Sequence, residues 1–415
     1  MTTTHAMEVS CGDRAPPPDG GDRPGFPESS YSERQGEYRW PLLLPGHGPF
    51  EVEQVSFRVP VEARSDTVYP AALRGRVDRH SFHSQLLQGN PWGDPVEREL
   101  PVYVPPSGET KGRPLLLLLT GYTGAGWMHF QRPRFLASTV VARLDRLIAH
   151  GIAAEAVLVG PDCLTTLGGS QYRNSSATGR YEDYVLDEVL PFVREKYGTG
   201  PTAVLGTSSG GYGALYLALR HPETLRAAGS NAGDACFEYC YLPEFPNAFR
   251  EIRKAGGPEE LLRRFFSGPV SDFGPRNRTV QAFETMAYAS CYSPIEPEPG
   301  RFELPFDLDT GALRPGVWDR WLECDPVRMI RTDRYRDALH RLAYVYVDGG
   351  TRDEYALDVG ARIFAATAAR EGTPVDFEEF DGVHGDGGPR YDVMIPRLLS
   401  ALGFPAPTAG SVGIK

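Results

Sequence analysis

Cysteine is scarce in this chain: its six cysteines are spread over 415 residues. Such sparse spacing excludes a dense disulfide framework. The closest pair, Cys236 and Cys240, has no histidine cluster near it in the sequence, and His80 and His83 likewise have too few ligand-forming neighbours for zinc. Ordinary buried cysteines are therefore expected, and no metal site is predicted.

Long apolar runs and an excess of basic residues are also missing. No apolar segment is long enough to cross a bilayer, and residues 1–7 lack the basic start and apolar core of a secretory signal. The 43 lysines and arginines are outnumbered by 54 acidic residues, a formal net charge of −11 that disfavours broad nucleic-acid or anionic-membrane surfaces. We therefore expect a cytoplasmic protein with neither partner, and the sequence leaves homo-oligomer formation open.

The composition that remains is typical of a globular chain, with 41% hydrophobic and 23% charged residues. Residues 1–37 contain a segment rich in proline, glycine and charge, which predicts a disordered tail. Residues 38–110 form an N-terminal extension whose strands, Phe50–Val59 and Glu97–Val104, are expected at the antiparallel edge of a sheet. Residues 404–415 are a C-terminal tail.

Residues 111–403 alternate between strand-like and helix-like stretches. The strand-like runs lie at 115–119, 156–159, 203–205, 227–230 and 343–347, and the helix-like stretches include 134–149 and 182–195. This alternation predicts an α/β fold, with a mostly parallel central sheet and helices on both of its faces. The connection at about 231–341 is much longer than the others and predicts a large insertion.

The most informative motif is G-x-S-x-G, which lies at Gly206–Gly210 between an apolar strand and a helix-like stretch. Small residues on either side of the serine permit a tight strand-to-helix turn that presents the hydroxyl above the sheet. A glycine-rich loop is the alternative interpretation, but the strand and helix on either side favour a nucleophile elbow. Ser208 is therefore the predicted nucleophile.

A serine nucleophile needs a histidine base, and the histidine needs an acid to orient it. Three histidines follow Ser208: His221 ends the helix after the elbow, His340 lies in a predicted surface helix, and His384 lies in a glycine-rich loop after a strand. His384 is the predicted base. Asp353, beyond the end of a late strand, is the predicted acid, although it could instead cap the next helix. Asp348 is its rival.

Two backbone amides are expected to stabilise the oxyanion. One is that of Ser209, directly after the nucleophile, and the other is that of Tyr122, in the loop after Leu115–Leu119. The glycines of that loop are spaced G-x-x-G-x-G rather than G-x-G-x-x-G, and no P-loop lysine follows. No nucleotide or other cofactor is therefore predicted.

The insertion is rich in aromatic residues between Phe237 and Trp321. Most are expected to fill a core of its own, and a few to line an acyl or alcohol pocket. Outside it, polar substrate contacts are predicted at Gln171, Tyr172 and Asn174. The basic residues of the insertion are expected on a solvated face, with recognition of an anionic substrate as the alternative; they are Arg250, Arg253, Arg263 and Arg264.

Several of these segments together resemble the esterase D-like branch of the α/β-hydrolases. They are Leu119–Gly124, Tyr181–Val193, Gly206–Leu215, His221–Glu223 and Asp348–Asp353. This branch includes S-formylglutathione hydrolases, enterochelin esterases, feruloyl and acetyl esterases, and mycolyltransferases. The resemblance covers roughly residues 97–403 and implies the α/β-hydrolase fold. The long insertion and the first hundred residues have no counterpart in compact members of the branch.

The resemblance implies the same roles for Ser208, Asp353 and His384 and for the amides of Tyr122 and Ser209. The leading prediction is a carboxylic-ester hydrolase that cleaves a small-molecule ester through an acyl-enzyme intermediate. An acyltransferase that uses an alcohol or sugar acceptor is one alternative. A non-catalytic binding protein that keeps the fold is the other.

Overall fold

The computed structural model of the protein describes residues 72–131, 138–268 and 279–407. These residues all belong to one compact unit, Ser56–Lys415. The predicted disordered tail 1–37, the predicted strand Phe50–Val59 and most of the predicted tail 404–415 lie outside the described residues.

One central sheet organises the described chain, in the spatial order β1-β2-β4-β3-β5-β6-β7-β8. β1 pairs with β2 and β2 with β4 in antiparallel directions, and all the other pairs are parallel. This arrangement confirms the α/β-hydrolase fold. The strands are β1 Arg76–His83, β2 Glu97–Val104, β3 Leu115–Leu119, β4 Val157–Val159, β5 Thr202–Thr207, β6 Leu225–Asn231, β7 Tyr344–Gly350 and β8 Asp376–Phe380.

The central strands are apolar because both of their faces are covered. All five leucines of β3 are fully buried, as expected for a parallel strand between two helical layers. On one face Leu116 and Leu118 belong to a core cluster that includes Leu144, Met394 and Leu398. A row of consecutive leucines therefore forms a strand here, although its apolar character alone would equally suit a buried helix.

Helices cover the sheet, and most of those predicted occur at the predicted places. The predicted stretch 182–195 is one helical run whose middle, Tyr184–Val189, is a π-helix. The predicted helix 134–149 corresponds to α1, which spans Val140–Ala149, and residues 134–137 lie outside the described residues. The α-helices are α1 Val140–Ala149, α2 Tyr181–Asp183, α3 Leu190–Tyr197, α4 Ser209–Arg220, α5 Phe237–Cys240, α6 Phe245–Ala255, α7 Pro258–Ser267, α8 Thr279–Tyr292, α9 Pro315–Leu322, α10 Pro326–Met329, α11 Asp333–Arg341, α12 Leu357–Arg370 and α13 Tyr391–Ala401.

The connection between β6 and β7 carries helices α5 to α11 and is the predicted insertion. It packs on the main body through α11 against α4 and through α5 and α10 against α12. Its aromatic side chains pack on one another: the ring centroids of Phe245 and Trp321, for example, lie 5.5 Å apart. The expectation that most of them form a core within the insertion is therefore confirmed. No helix in the described ranges is long and apolar enough to span a membrane.

Candidate active site

Ser208 forms the turn between β5 and α4 and has an unusual backbone conformation. Its φ is 57° and its ψ is −130°. A non-glycine residue rarely adopts positive φ, and such strain is typically retained where function requires it. Ser208 lines a cavity above this turn. The geometry is that of the sharp strand-to-helix turn predicted from G-x-S-x-G.

The two glycines of the motif allow β3, the elbow and α4 to approach one another closely. A Cβ atom on Gly206 would lie 2.4 Å from the carbonyl oxygen of Gly210. A Cβ atom on Gly210 would lie 2.4 Å from the carbonyl oxygen of Leu119. Both contacts are with backbone atoms, which cannot rotate away, so a larger residue at either position would displace the turn that carries Ser208.

His384 and Asp353 form a hydrogen-bonded pair, with 2.9 Å between His384 Nδ1 and Asp353 Oδ2. The Asp353 side chain has no exposed surface, and its second oxygen accepts a hydrogen bond from the amide of Tyr355. The ring of Tyr355 also packs edge-on against that of His384, with 5.0 Å between centroids. These contacts orient the imidazole of His384. His384 and Ser208 line the same cavity.

The local structure differs from the prediction at His384 and rules out the alternative role of Asp353 as a helix cap. His384 begins a 3₁₀-helix, His384–Arg390, instead of lying in an irregular loop. Asp353 does not cap a helix, because α12 begins at Leu357 and has Ala356 as its N-cap. Its carboxylate is therefore available to His384.

The rival acid, Asp348, is fully buried and points to other partners. Its carboxylate accepts hydrogen bonds from Arg390 Nε at 2.9 Å, from the Tyr346 hydroxyl at 2.8 Å and from Asn231 Nδ2 at 2.7 Å. The two aspartates thus have different surroundings: Asp348, within β7, belongs to a buried ionic cluster, whereas Asp353, after β7, contacts the histidine.

The environment of His384 favours its protonated form. Burial of the ring acts in the opposite direction, but the hydrogen bond to Asp353 and the negative charges of Asp353, Asp234 and Glu354 outweigh it and raise the pKa of His384 above 6.5. An imidazole with a raised pKa is a stronger base towards a hydroxyl proton, and the adjacent carboxylate stabilises the imidazolium that results.

The raised pKa predicts the acid limb of the pH–activity profile. His384 must be neutral to accept a proton, so kcat/KM for a neutral ester is expected to fall as the pH drops through a value above 6.5. Asp353→Asn removes the main group that raises the pKa and should move this limb to lower pH. The exposed Asp381, replaced by asparagine, is the matched control and should leave the limb in place. If Asp353→Asn left the acid limb of the pH–activity profile in place, the assignment of Asp353 as the partner of the catalytic histidine would be contradicted.

The two residues predicted to supply oxyanion amides lie near Ser208: Ser209 follows it in the chain, and Tyr122 lines the same cavity. Ser209 is the first residue of α4, so its amide belongs to the group that has no partner within the helix. Tyr122 follows Gly121, where an added Cβ atom would lie 3.2 Å from Ser208 Cβ. The loop is held by a hydrogen bond from the Thr123 amide to the Gly168 carbonyl, at 2.7 Å. Its backbone therefore lies directly against the elbow.

The cavity has a volume of about 420 Å³ and lies between the main body and the insertion. The main body contributes Ser208 and His384 to its lining. The insertion contributes mainly aromatic and acidic side chains, among them Tyr241, Glu244, Phe245, Glu284 and Tyr288. A volume of this size suits a small organic ester.

The three predicted substrate contacts are not found in the lining of this cavity. Gln171 is buried, and its side-chain amide donates to Tyr292 at 2.9 Å and to Asp234 at 3.3 Å. Tyr172 is also buried and donates its hydroxyl hydrogen to the Thr120 carbonyl. Asn174 is exposed and donates to Asp183. The first two support the walls of the site through other residues.

Three lining carboxylates, Asp234, Glu244 and Glu284, were not singled out from the sequence. Asp234 follows β6 by three residues, at the sheet edge where parallel strands of α/β proteins collect ligands, and this position was a usable signal. Glu244 and Glu284 lie within the insertion, where no motif distinguishes them from solvent-exposed glutamates. Only the folding of the insertion over the elbow brings them to the cavity.

One cluster has ligand atoms close enough for a metal ion among the residues that the structure describes. Cys236, Glu238 and Asp325 place such atoms within 4.8 Å of one another. The Asp325 carboxylate, however, already accepts hydrogen bonds from the amides of Cys236, Phe237 and Val327. Burial raises the pKa of the Cys236 thiol, which disfavours the thiolate that binds metals. The cluster is better explained as a helix-capping contact.

Comparisons with known proteins place this site in a family context. A family model described as putative esterase matches residues 95–387. No curated protein sequence matches the chain. Among solved structures, a ferulic acid esterase is similar with 19% identity and a TM-score of 0.48, over 80% of this chain and 98% of its own.

Two further solved structures illustrate the range of similar proteins. An S-formylglutathione hydrolase from Agrobacterium tumefaciens is 16% identical over 81% of this chain and 98% of its own, with a TM-score of 0.46. MPT51 (FbpC1) from Mycobacterium tuberculosis is also 16% identical, over 79% of this chain and 98% of its own, with a TM-score of 0.46.

Proposed function

This chain belongs to the putative esterase family and is a carboxylic-ester hydrolase, and we propose that it acts through a Ser208–His384–Asp353 triad and an acyl-enzyme intermediate. The observation that carries the proposal is the 2.9 Å hydrogen bond between the buried Asp353 and His384, which lines the same cavity as the strained Ser208. The substrate is a small-molecule ester.

In the first half of the reaction, His384 Nε2 accepts the hydroxyl proton of Ser208 as Ser208 Oγ attacks the ester carbonyl. The amides of Ser209 and Tyr122 donate to the oxyanion of the tetrahedral intermediate. Collapse of this intermediate breaks the bond to the alcohol oxygen, which takes the proton from His384. The alcohol leaves, and the acyl group stays on Ser208.

In the second half, the same groups act on water. His384 accepts a proton from a water molecule as the water oxygen attacks the acyl carbonyl, and the amides again stabilise the oxyanion. The bond to Ser208 Oγ then breaks, and Ser208 recovers its proton from His384. The carboxylic acid is released.

Labelling with a fluorophosphonate tests the proposal, because the reagent reacts with an activated serine. Intact-mass spectrometry of the wild type should show a single adduct, which Ser208→Ala should abolish. The neighbouring Ser209→Ala is the matched control and should retain the adduct, since it keeps the backbone amide. An adduct that survives in Ser208→Ala would contradict the nucleophile. No adduct on folded wild type would favour a non-catalytic binding protein.

We also propose that the protein resides in the cytoplasm. Five cysteines in the described ranges are free and buried, as is usual where thiols are kept reduced. Recovery of the native protein from a secreted fraction would contradict this location.

A further inference from the structure

The cavity beside Ser208 is lined by carboxylates and by no lysine or arginine among the residues that the structure describes. Asp234 lies at the very start of the insertion, three residues after β6, whereas Glu244 and Glu284 lie on later helical segments of it. None of the three forms an ion pair with a described basic residue. A concave site with charges of one sign concentrates ligands of the opposite charge.

Two of these carboxylates are joined to the elbow through hydroxyl groups. Ser209 Oγ donates to Asp234 Oδ2 at 3.2 Å, and the Tyr288 hydroxyl donates to Glu284 Oε1 at 2.7 Å. The two hydroxyl groups are themselves 3.3 Å apart. Glu284 therefore lies beside Tyr288, whose hydroxyl approaches the residue that follows the nucleophile, and Glu284 lines the same cavity as Ser208 and His384.

No lysine or arginine among the described residues lines the cavity beside these carboxylates, although the charge of His384 acts on Asp234 and Glu284. Glu244 Oε2 is buried and has no hydrogen-bond partner. Burial raises the pKa of Glu244, and burial together with the nearby charges of Asp234 and Glu244 raises the pKa of Glu284 to about 7. A cation bound among them would stabilise their charged forms and offset the cost of burying them.

The aromatic lining suits the same kind of ligand. Tyr122, Tyr241, Phe245, Tyr288 and Tyr355 all line the cavity. The rings of Tyr241 and Tyr288 lie 4.6 Å apart between centroids, and that of Tyr288 lies 6.0 Å from that of Tyr122. The faces of aromatic rings attract ammonium groups, most strongly where water is excluded.

The arginines of the insertion do not reach this cavity. Arg263 and Arg264 both pair with Glu260 on the exposed side of α7. Arg250 contacts Asn247 in an exposed position, and Arg253 lies over the ring of Phe249. The expectation of a solvated basic face is therefore confirmed, and none of these four arginines lines the cavity for an anionic substrate.

We infer that the preferred ester carries a positively charged group, an ammonium or quaternary ammonium, that binds among Glu244, Glu284 and the surrounding aromatic rings. This inference rests on the proposed function, since it assigns the substrate class of the same site. Esters with an additional carboxylate should be poor substrates, because they would place like charges together in a partly dry cavity.

Matched esters test the inference by exchanging a charged nitrogen for carbon. Acetylcholine and 3,3-dimethylbutyl acetate differ in this way in the alcohol. The p-nitrophenyl esters of 5-(trimethylammonio)pentanoate and 6,6-dimethylheptanoate differ in this way in the acyl group, and the ester of glutarate supplies an anion. In at least one pair kcat/KM should favour the cation by about tenfold or more. Equal or better turnover of the neutral ester in both pairs would overturn the inference.

Glu284→Gln keeps the size of the side chain and removes its charge, so the preference for the cation should fall about fivefold or more. Glu259→Gln, on the exposed side of α7, changes the net charge equally and should leave the preference unchanged. A preference that survives Glu284→Gln at full strength would contradict the role of Glu284.

The two proposals fail in different ways. Turnover of neutral esters that is lost in Ser208→Ala, without any preference for cations, would reject only the substrate class. Failure of folded wild type to hydrolyse any of the esters or to react with a fluorophosphonate would reject the proposed mechanism itself.

Discussion

His384→Ala is expected to lower kcat for a neutral p-nitrophenyl ester by roughly 10⁵-fold, because the serine hydroxyl then has no base to accept its proton. The loss should appear mainly in kcat, since the imidazole acts in the transition state more than in ground-state binding. Steady-state kinetics together with thermal unfolding would separate this effect from a loss of folding. Loss of the imidazole also removes a hydrogen-bond partner of the buried Asp353 carboxylate, so the melting temperature should fall by a few degrees, and kcat should be measured well below it.

His340→Ala is the matched control for this experiment. His340 lies on α11, and its Nε2 is 3.2 Å from the carbonyl oxygen of Glu371 in an exposed position. Its replacement should leave kcat within about twofold of the wild-type value, because surface substitutions usually have small effects. If His384→Ala kept more than about one per cent of the activity, another base would have to be sought.

Arg390→Met is expected to lower the free energy of unfolding by about 3–5 kcal/mol, because it leaves buried carboxylates without their counter-charge. Arg390 is buried at the carboxyl end of β7, where its Nε donates to Asp348 at 2.9 Å. Its Nη2 also contacts Glu378 and the Tyr346 hydroxyl. Arg397 is then the remaining cation of the cluster, 2.6 Å from the second oxygen of Glu378.

The loss should depend on pH. Burial already raises the pKa of Asp348, and Arg390 is the main group that opposes this effect. Without Arg390 the carboxyl group would be more readily protonated in the folded state, so folding would be favoured as the pH falls. Urea unfolding at pH 8 and pH 5.5 should therefore show a larger deficit at the higher pH.

Arg263→Met on the exposed face of α7 is the control and should change the free energy of unfolding by less than about 1 kcal/mol. Arg390→Lys keeps the charge but cannot form the same set of hydrogen bonds, so its stability should lie between the wild type and Arg390→Met. An Arg390→Met protein as stable as the wild type at both pH values would show that the ionic cluster does not stabilise the fold.

Strand positions could be predicted where sequence pattern and burial agree. β2 and β3 have their predicted bounds. β3 is a run of consecutive apolar residues, which suits a strand buried on both faces, whereas the end of β2 was marked by the two prolines at 105 and 106. β1 was not predicted, because Arg76–His83 is largely polar and lacks a clear strand pattern. It is a strand because it pairs with β2, and that pairing is not visible in its own sequence. The π-helix at Tyr184–Val189 was also missed, because helical periodicity does not reveal a local change of hydrogen-bond register.

The identity of the acid illustrates the limit of reasoning from order along the chain. Asp348 and Asp353 both follow the apolar run at 343–347, and both precede His384 as the expected order requires. Their contacts in the folded chain decide between them: Asp348, within β7, accepts a hydrogen bond from Arg390, whereas Asp353, three residues after β7, pairs with His384. Spacing favoured Asp353, and the tertiary structure supplies the contact.

The sequence by itself determined the elbow, the order of serine, acid and histidine, and the parallel sheet, because these depend on local backbone geometry and on hydrophobic patterning. Only the tertiary structure decided which residues line the cavity. Asp234, Glu244 and Glu284 are separated along the chain, and the insertion that carries the two glutamates has no periodicity that predicts how it folds over Ser208. The lining of the cavity arises from such long-range contacts, which no local pattern encodes.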